Sequence, residues 1–189
     1  LPAALLLKEG DVWRFYDQEL NPLSEQAWDG VELELAENGR ISSDLVKVEL
    51  GGLFGAADMQ GHVLVEPIYE ELELYTFAAD WAINRVRYEG RYGYIDSNGN
   101  IVIDLIYDYA VMSSFTVYDQ TETEAGETAA EGGEGEEPAG IELPIVYVLK
   151  DGDWGGIYKR ADNSATGVDW QVEPSAQVVL DYVNGQDAV

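Results

Sequence analysis

Cysteine is absent from the 189 residues, which excludes disulfides, thiolate metal sites and a cysteine nucleophile together. Histidine is nearly absent. His62 stands alone, so a metal site of several imidazoles is excluded, and any Ser-His-Asp triad has to use that one ring. Basic residues are scarce as well, 10 against 37 acidic ones, for a formal charge of -27, and no Lys or Arg falls between Arg91 and Lys150. Such a surface repels phosphate, which argues against nucleic acid and against direct binding to anionic membranes; cations, basic proteins and neutral glycans remain compatible with it. A long hydrophobic run is also missing. The opening LPAALLLKEG falls short of the roughly 20 apolar residues that span a bilayer, and it has neither an initiator Met nor a basic leader region. It reads as the start of a trimmed mature chain.

What is present is enough to fold. Apolar residues make up 46% of the chain, so the charge does not imply global disorder, and the length suits one domain or an array of small repeats that share a core. The repeats are visible. VRYEGRYGYIDSNGNIVIDLIYD, from Val86 to Asp108, lies over VELGGLFGAADMQGHVLVEPIYE, from Val48 to Glu70, at a constant shift of 38. Phe54-Gly55 falls on Tyr92-Gly93, Asp58 on Asp96, Gly61 on Gly99 and Tyr69-Glu70 on Tyr107-Asp108. An earlier, degenerate copy sits 41 residues upstream, with Trp13 on Phe54, Asp17 on Asp58, Trp28-Asp29 on Tyr69-Glu70, and Arg14 in place of the glycine.

A fourth copy begins at VYVLKDGDWG, where Trp154-Gly155 matches Tyr92-Gly93. Its second half is read from VDWQVEPSAQVVLDY, with Val172-Glu173-Pro174 echoing Val65-Glu66-Pro67 and Tyr182 echoing Tyr75; Lys159 to Gly167 takes the place of the usual tight turn. The copies are set at 5–41, 46–80, 84–116 and 146–183 within a single repeat domain. Between the last two lies an acidic low-complexity insert, 117–140, with almost nothing to bury. Loop closure grows only by about 0.6 kcal/mol per doubling of length, so the fold tolerates it.

Within each copy, period-two apolar residues mark strands and Gly-containing pairs mark turns. Val86-Arg87-Tyr88 alternates, Glu89-Gly90 turns, Tyr92 to Asp96 returns, and Asn98-Gly99 turns again as a type I′ pair before Ile101-Val102-Ile103. A short fourth strand is expected near Leu72 to Tyr75. The fold class expected is therefore all-β: four tandem antiparallel β-meanders of about 40 residues. An open array is preferred over a closed four-bladed propeller because the terminal copies are degenerate, as capping repeats are.

The aromatic-Gly pair, the apolar-Asp pair, the Asn-Gly turn and the closing Tyr-Asp resemble the WG repeat family of bacterial proteins; the pair reads Trp13-Arg14, Phe54-Gly55, Tyr92-Gly93 and Trp154-Gly155. The resemblance extends over about residues 5 to 183 and implies an all-β repeat protein, commonly envelope-associated or exported. It brings no general catalytic activity and no site residues.

The sharper chemical readings are weak. DSNGN at Asp96 to Asn100 spaces its oxygens like the start of a calcium loop, yet Gly stands fourth instead of sixth and no Glu closes the twelfth position. Asp17, Asp58 and Asp96 are instead placed to accept hydrogen bonds from turn N–H groups. KDGDWG, Lys150 to Gly155, reads as a hairpin turn, and His62 as an exposed turn residue in the column of Asn100. Trp28, Trp81 and Trp170 are able to stack on sugars if exposed, or to pack between units; Trp28 shares its column with Tyr69 and Tyr107, which favours packing. No catalytic, cofactor-binding or metal-binding residue is assigned. The function expected is a non-enzymatic binding or scaffold module of the cell envelope or exterior, facing a protein or glycan. The alternatives are a hydrolase using two carboxylates, although no pair is singled out, and a cation-responsive element built on the acidic insert.

Overall fold

The computed structural model describes residues 4–33, 45–74, 81–117 and 141–186. Strands dominate: β1 (Leu5–Glu9), β2 (Val12–Tyr16), β3 (Gly30–Glu32), β4 (Leu45–Leu50), β5 (Leu53–Asp58), β6 (Val63–Tyr69), β7 (Glu71–Glu73), β8 (Asn84–Tyr88), β9 (Arg91–Ile95), β10 (Ile101–Tyr107), β11 (Tyr109–Val117), β12 (Ile141–Lys150) and β13 (Asp153–Tyr158), followed by helix α1 (Ala176–Gln186). They form four antiparallel sheets: β1-β2, β3-β4-β5-β6, β7-β8-β9-β10 and β11-β12-β13.

The sheets cut across the sequence copies. The short strand that follows each closing aromatic-acid pair does not finish its own meander; β3, β7 and β11 pair with the first strand of the next unit, β4, β8 and β12. Each sheet is thus locked to its predecessor by backbone hydrogen bonds as well as by side-chain packing. The strand expected near Leu72 is present as β7, but it belongs to the third sheet.

Packing proceeds from neighbour to neighbour. Phe15, Trp28, Val46, Val48 and Ala57 bury the junction of the first and second sheets. Ala56, Val65, Tyr69, Leu72, Val86 and Ile95 fill the next junction. Tyr94, Ile103, Tyr107, Ala110, Val146, Val148 and Ile157, with Trp81 and Ile83, fill the third. Adjacent residues of one central strand serve opposite sides: Ala57 faces back and Ala56 forward, Ile95 back and Tyr94 forward. Period-two geometry with an apolar residue at every position is what a sheet sandwiched between two others requires. The architecture is an open all-β repeat array.

The aromatic-Gly pair has a steric basis. Strands β5-β6 and β9-β10 are in register at Phe54↔Tyr69 and Tyr92↔Tyr107, then shift, because the third strand bulges. The bulge brings backbone over the glycine. A Cβ on Gly55 would lie 2.4 Å from the Val65 carbonyl oxygen, and one on Gly93 2.5 Å from that of Ile103. Only glycine fits beneath.

Two expectations are corrected. Residues read as the last strands of the fourth copy form helix α1: Ser175 caps its start, with its hydroxyl accepting from Val178 N at 3.4 Å, and Val178 and Tyr182 fall one turn apart toward the fourth sheet. Tyr182 packs against Tyr109 and Trp154, so the helix covers the aromatic that another sheet covers in earlier units. The second correction concerns the turns. The type I′ pairs are Gly51-Gly52, Glu89-Gly90 and Asp151-Gly152, with positive φ at both residues, whereas at Asn98-Gly99 only the glycine has positive φ. Beyond Val117, the expected acidic insert lies outside the described residues through its end.

Candidate functional site

Each unit has two chemically distinct ends. At one end, a five-residue turn is closed by an aspartate. Asp96 N donates to the Asn100 carbonyl at 2.9 Å and Gly99 N to the Asp96 carbonyl at 3.1 Å. The carboxylate fills the turn: Oδ1 accepts from Asn98 N at 2.8 Å and Asn100 N at 2.9 Å, and Oδ2 accepts from Asn100 Nδ2 at 2.8 Å. Asp17 does the same with Glu19, Asn21 and the Asn21 amide, and Asp58 with Gln60 and His62. These carboxylates are clamps whose oxygens are occupied by donors of their own turn.

The electrostatics agree with that geometry. Partial burial pushes the Asp58 and Asp96 carboxyls upward, but hydrogen bonds from His62 and Asn100 and from the turn amides outweigh it and hold both below the usual range. Asp17 is lowered chiefly by the Asn21 side chain, and Asp162 by the Ser164 hydroxyl. In the fourth unit the stretch expected to replace the tight turn keeps its backbone pattern. Arg160 N donates to the Ser164 carbonyl and Asn163 N to the Arg160 carbonyl, so Arg160 stands in the clamp column, and the side-chain acceptor is Asp162. Nothing in the residue type at 160 signals this equivalence.

At the other end the acid of each aromatic-acid pair staples two units together. Asp29, Glu70 and Asp108 donate their backbone N–H to the carbonyls of Glu49, Arg87 and Leu149 at 2.9, 2.9 and 2.8 Å. Their carboxylates accept from the type I′ turn of the next hairpin: Gly51 N at 2.7 Å, Gly90 N at 3.2 Å and Asp151 N at 2.8 Å. The two aspartates reach the first turn residue and the longer glutamate the second. The recurrence of the pair was visible in the sequence; this role was not, because the accepting turn lies in the following copy.

Between the clamp ends of the third and fourth units lies a cleft of about 460 Å³. Ile101, 57% exposed, and half-buried Val102 give it apolar surface above a floor of buried Trp81 and Ile83, and Asp96, Asn100, Asp162 and Ser164 form its polar rim. Trp81 Nε1 donates to the Asn163 carbonyl at 3.0 Å, which ties the floor to the fourth unit's turn. The cleft offers carboxylate, amide and hydroxyl groups beside an apolar surface, the combination that suits a neutral polar ligand.

Of the singled-out aromatics, Trp28 and Trp81 are buried in inter-sheet junctions, whereas Trp170 is 47% exposed and leans over Gly155. His62 is an exposed turn residue with Nδ1 at 2.8 Å from Asp58 Oδ2. Asp151-Gly152 within Lys150 to Gly155 is a hairpin turn. Among the described residues, no group of three or more acidic or imidazole side chains is placed to hold a metal ion. Several of the scarce cations lie over aromatic rings or pair with acids, some of them across copy boundaries. Lys8, Lys47 and Arg85 lie over Trp13, Phe54 and Tyr92 at 5.7, 4.7 and 5.4 Å, and Arg87 and Arg91 pair with Glu71 and Asp108.

Comparison with known proteins agrees with this repeat. Residues 92–116 match the family model of the WG containing repeat, so the third unit is a repeat of that kind. No curated protein and no solved structure matches the chain significantly.

Proposed function

We propose that the chain is a non-enzymatic binding or scaffold module of the bacterial cell envelope or exterior, and that the cleft between its third and fourth units takes a neutral glycan or an uncharged stretch of protein. The observation that carries this reading is the pairing of the apolar surface at Ile101 and Val102 with the Asp96, Asn100, Asp162 and Ser164 rim. Sugars are recognised by such a combination of apolar surface and planar hydrogen-bonding groups. Binding is favoured over hydrolysis because Asp96 and Asp162 are both held below the usual carboxylate range, whereas a general acid needs a raised pKa. The envelope setting rests on the family resemblance.

The test is a titration of the full chain with a panel of neutral envelope glycans, read by tryptophan fluorescence and by calorimetry. Saturable binding that weakens at least tenfold in Asn100→Ala and Ser164→Ala supports the reading. Turnover of a glycan that vanishes on replacing one carboxylate replaces it with the hydrolase.

A further inference from the structure

Four first strands occupy the same place in their units, and three of them are covered along the outer edge. β4, β8 and β12 each receive a strand from the preceding unit. Among the described residues, β1 pairs with β2 alone. The repeat shift places Lys8 in the column of Glu49 and Arg87, whose carbonyls accept the staple N–H, and Gly10 in the column of Gly51, whose N–H meets the staple carboxylate. The first unit thus keeps both backbone positions of the receiving half, in a Gly10-Asp11 turn with positive φ at Gly10 alone.

Among the described residues the edge is guarded only by the charges of Lys8 and Glu9 and by its short length. Edge strands are otherwise blunted by proline, bulges or a cover. The outer third strand β6 carries Pro67 and a register shift, and β10 carries a register shift. β1 has neither: its five residues pair with β2 in unbroken register from Leu5↔Tyr16 to Glu9↔Val12. Leu6 packs against the first junction, but Leu5 and Leu7 are uncovered. Leu7 is 38% exposed, whereas Val48 and Val86, in the same column, are 0% exposed.

We propose that the outer edge of β1 is a strand-acceptor site for a polypeptide segment from outside residues 1–189 that reads aromatic, Asp or Glu, any residue, apolar. The three occupied junctions define that chemistry: Trp28-Asp29-Gly30-Val31, Tyr69-Glu70-Glu71-Leu72 and Tyr107-Asp108-Tyr109-Ala110. The strand runs antiparallel to β1. Its acid donates its N–H to the Lys8 carbonyl and accepts from the Gly10 N–H, and the apolar residue two positions later lies opposite Leu7, as Val31, Leu72 and Ala110 lie opposite Val48, Val86 and Val148. Main-chain bonds supply affinity and the acid sets the register, which is recognition by β-augmentation. The site lies in a different unit from the cleft and does not depend on what the cleft binds.

The experiment titrates the full chain with a fluorescein-labelled synthetic peptide of the sequence 106–114, read by fluorescence anisotropy and by hydrogen exchange. Saturable binding is expected, with slowed exchange at the Leu6 and Lys8 amides. Replacing the peptide's own acid, the equivalent of Asp108→Ala, is expected to weaken binding at least tenfold without touching the protein's fold. Lys8→Pro in the chain, with unchanged far-ultraviolet circular dichroism, is expected to abolish it. Absence of saturable binding, equal binding by the acid-free peptide, or protection at β6 or β10 in place of β1 overturns the proposal.

Discussion

The first and third units share most of their parts and differ in one strand. Both have a clamp aspartate, Asp17 or Asp96, with the same three donors, and both have a cross-strand aromatic pair, Trp13 with Trp28 or Tyr92 with Tyr107. In the third unit the returning chain forms the seven-residue strand β10. In the first it touches β2 only at isolated bridges, Trp13↔Trp28 and Tyr16↔Pro22. The residue between is what differs. Gly93 lets the bulged backbone of Ile103 and Asp104 fold over it, and Arg14 places a Cβ in that space. Clamp and aromatic pair thus survive without the glycine, while the full third strand depends on it.

Adding one methyl group to the third unit is the most direct way to break this contrast. Gly93→Ala puts a Cβ within 2.5 Å of the Ile103 oxygen and 2.7 Å of the Asp104 oxygen, both backbone atoms that side-chain movement cannot relieve. Overpacking of that kind costs about 3 kcal/mol, and the unit should lose protection along β10 first. Arg14→Ala, which removes a solvent-accessible pair with Glu9 and an interaction with Tyr16, should change stability by less than about 1 kcal/mol. Urea denaturation of both variants, with hydrogen exchange at Ile101–Tyr107, checks the claim. Equal effects would falsify the steric account of the aromatic-Gly pair.

A smaller effect is expected at the staples. Asp108→Ala removes the acceptor for Asp151 N and the partner of Arg91, and leaves a turn N–H without its acceptor, at a cost of about 1 to 2 kcal/mol. Its consequence should appear across the junction, as faster exchange in the β12-β13 hairpin, more than within the third unit where Asp108 is read in the sequence. Asp29→Ala tests the first unit in the same way through Gly51. If loss of Asp29 loosens β1-β2 instead of β4-β5, the acid belongs to its own copy and the staple is wrong.

The fold was legible because its signals are local and repeated. A shift of 38 exposes the copies, alternation exposes the strands, and Gly at 51, 52, 61, 90 and 99 exposes the turns. What was illegible lies between copies. β7 looks like the end of one meander because it follows Tyr69-Glu70 directly, and only the pairing of Leu72 with Val86 assigns it to the next sheet. Helix α1 was hidden by the echo of Val65-Glu66-Pro67 in Val172-Glu173-Pro174; the cap at Ser175 and the spacing of Val178 and Tyr182 are the helical signal that the echo masked. The cleft shares this origin. Trp81 and Asn163 are 82 residues apart, and no periodicity joins them.

The smallest effect sharpens the comparison by asking whether the clamp is independent of the third strand. The folded Asp96 carboxyl is held below the usual aspartate range, so the unfolded chain binds more protons as acid is added. The clamp's contribution is therefore present above about pH 4 and is lost as pH falls through the folded value. Asp96→Asn keeps an oxygen for Asn98 N and Asn100 N but cannot ionise. Wild type should exceed it by about 0.5 to 1 kcal/mol at neutral pH, and the difference should shrink toward zero in strong acid. Asp17 has the same donors in a unit without the bulged strand. Asp17→Asn should trace a difference curve of the same shape, since the donors that lower both carboxyls belong to the turn. A flat curve for Asp17 beside a sloping one for Asp96 means that the third strand, and not the turn, holds the clamp in place.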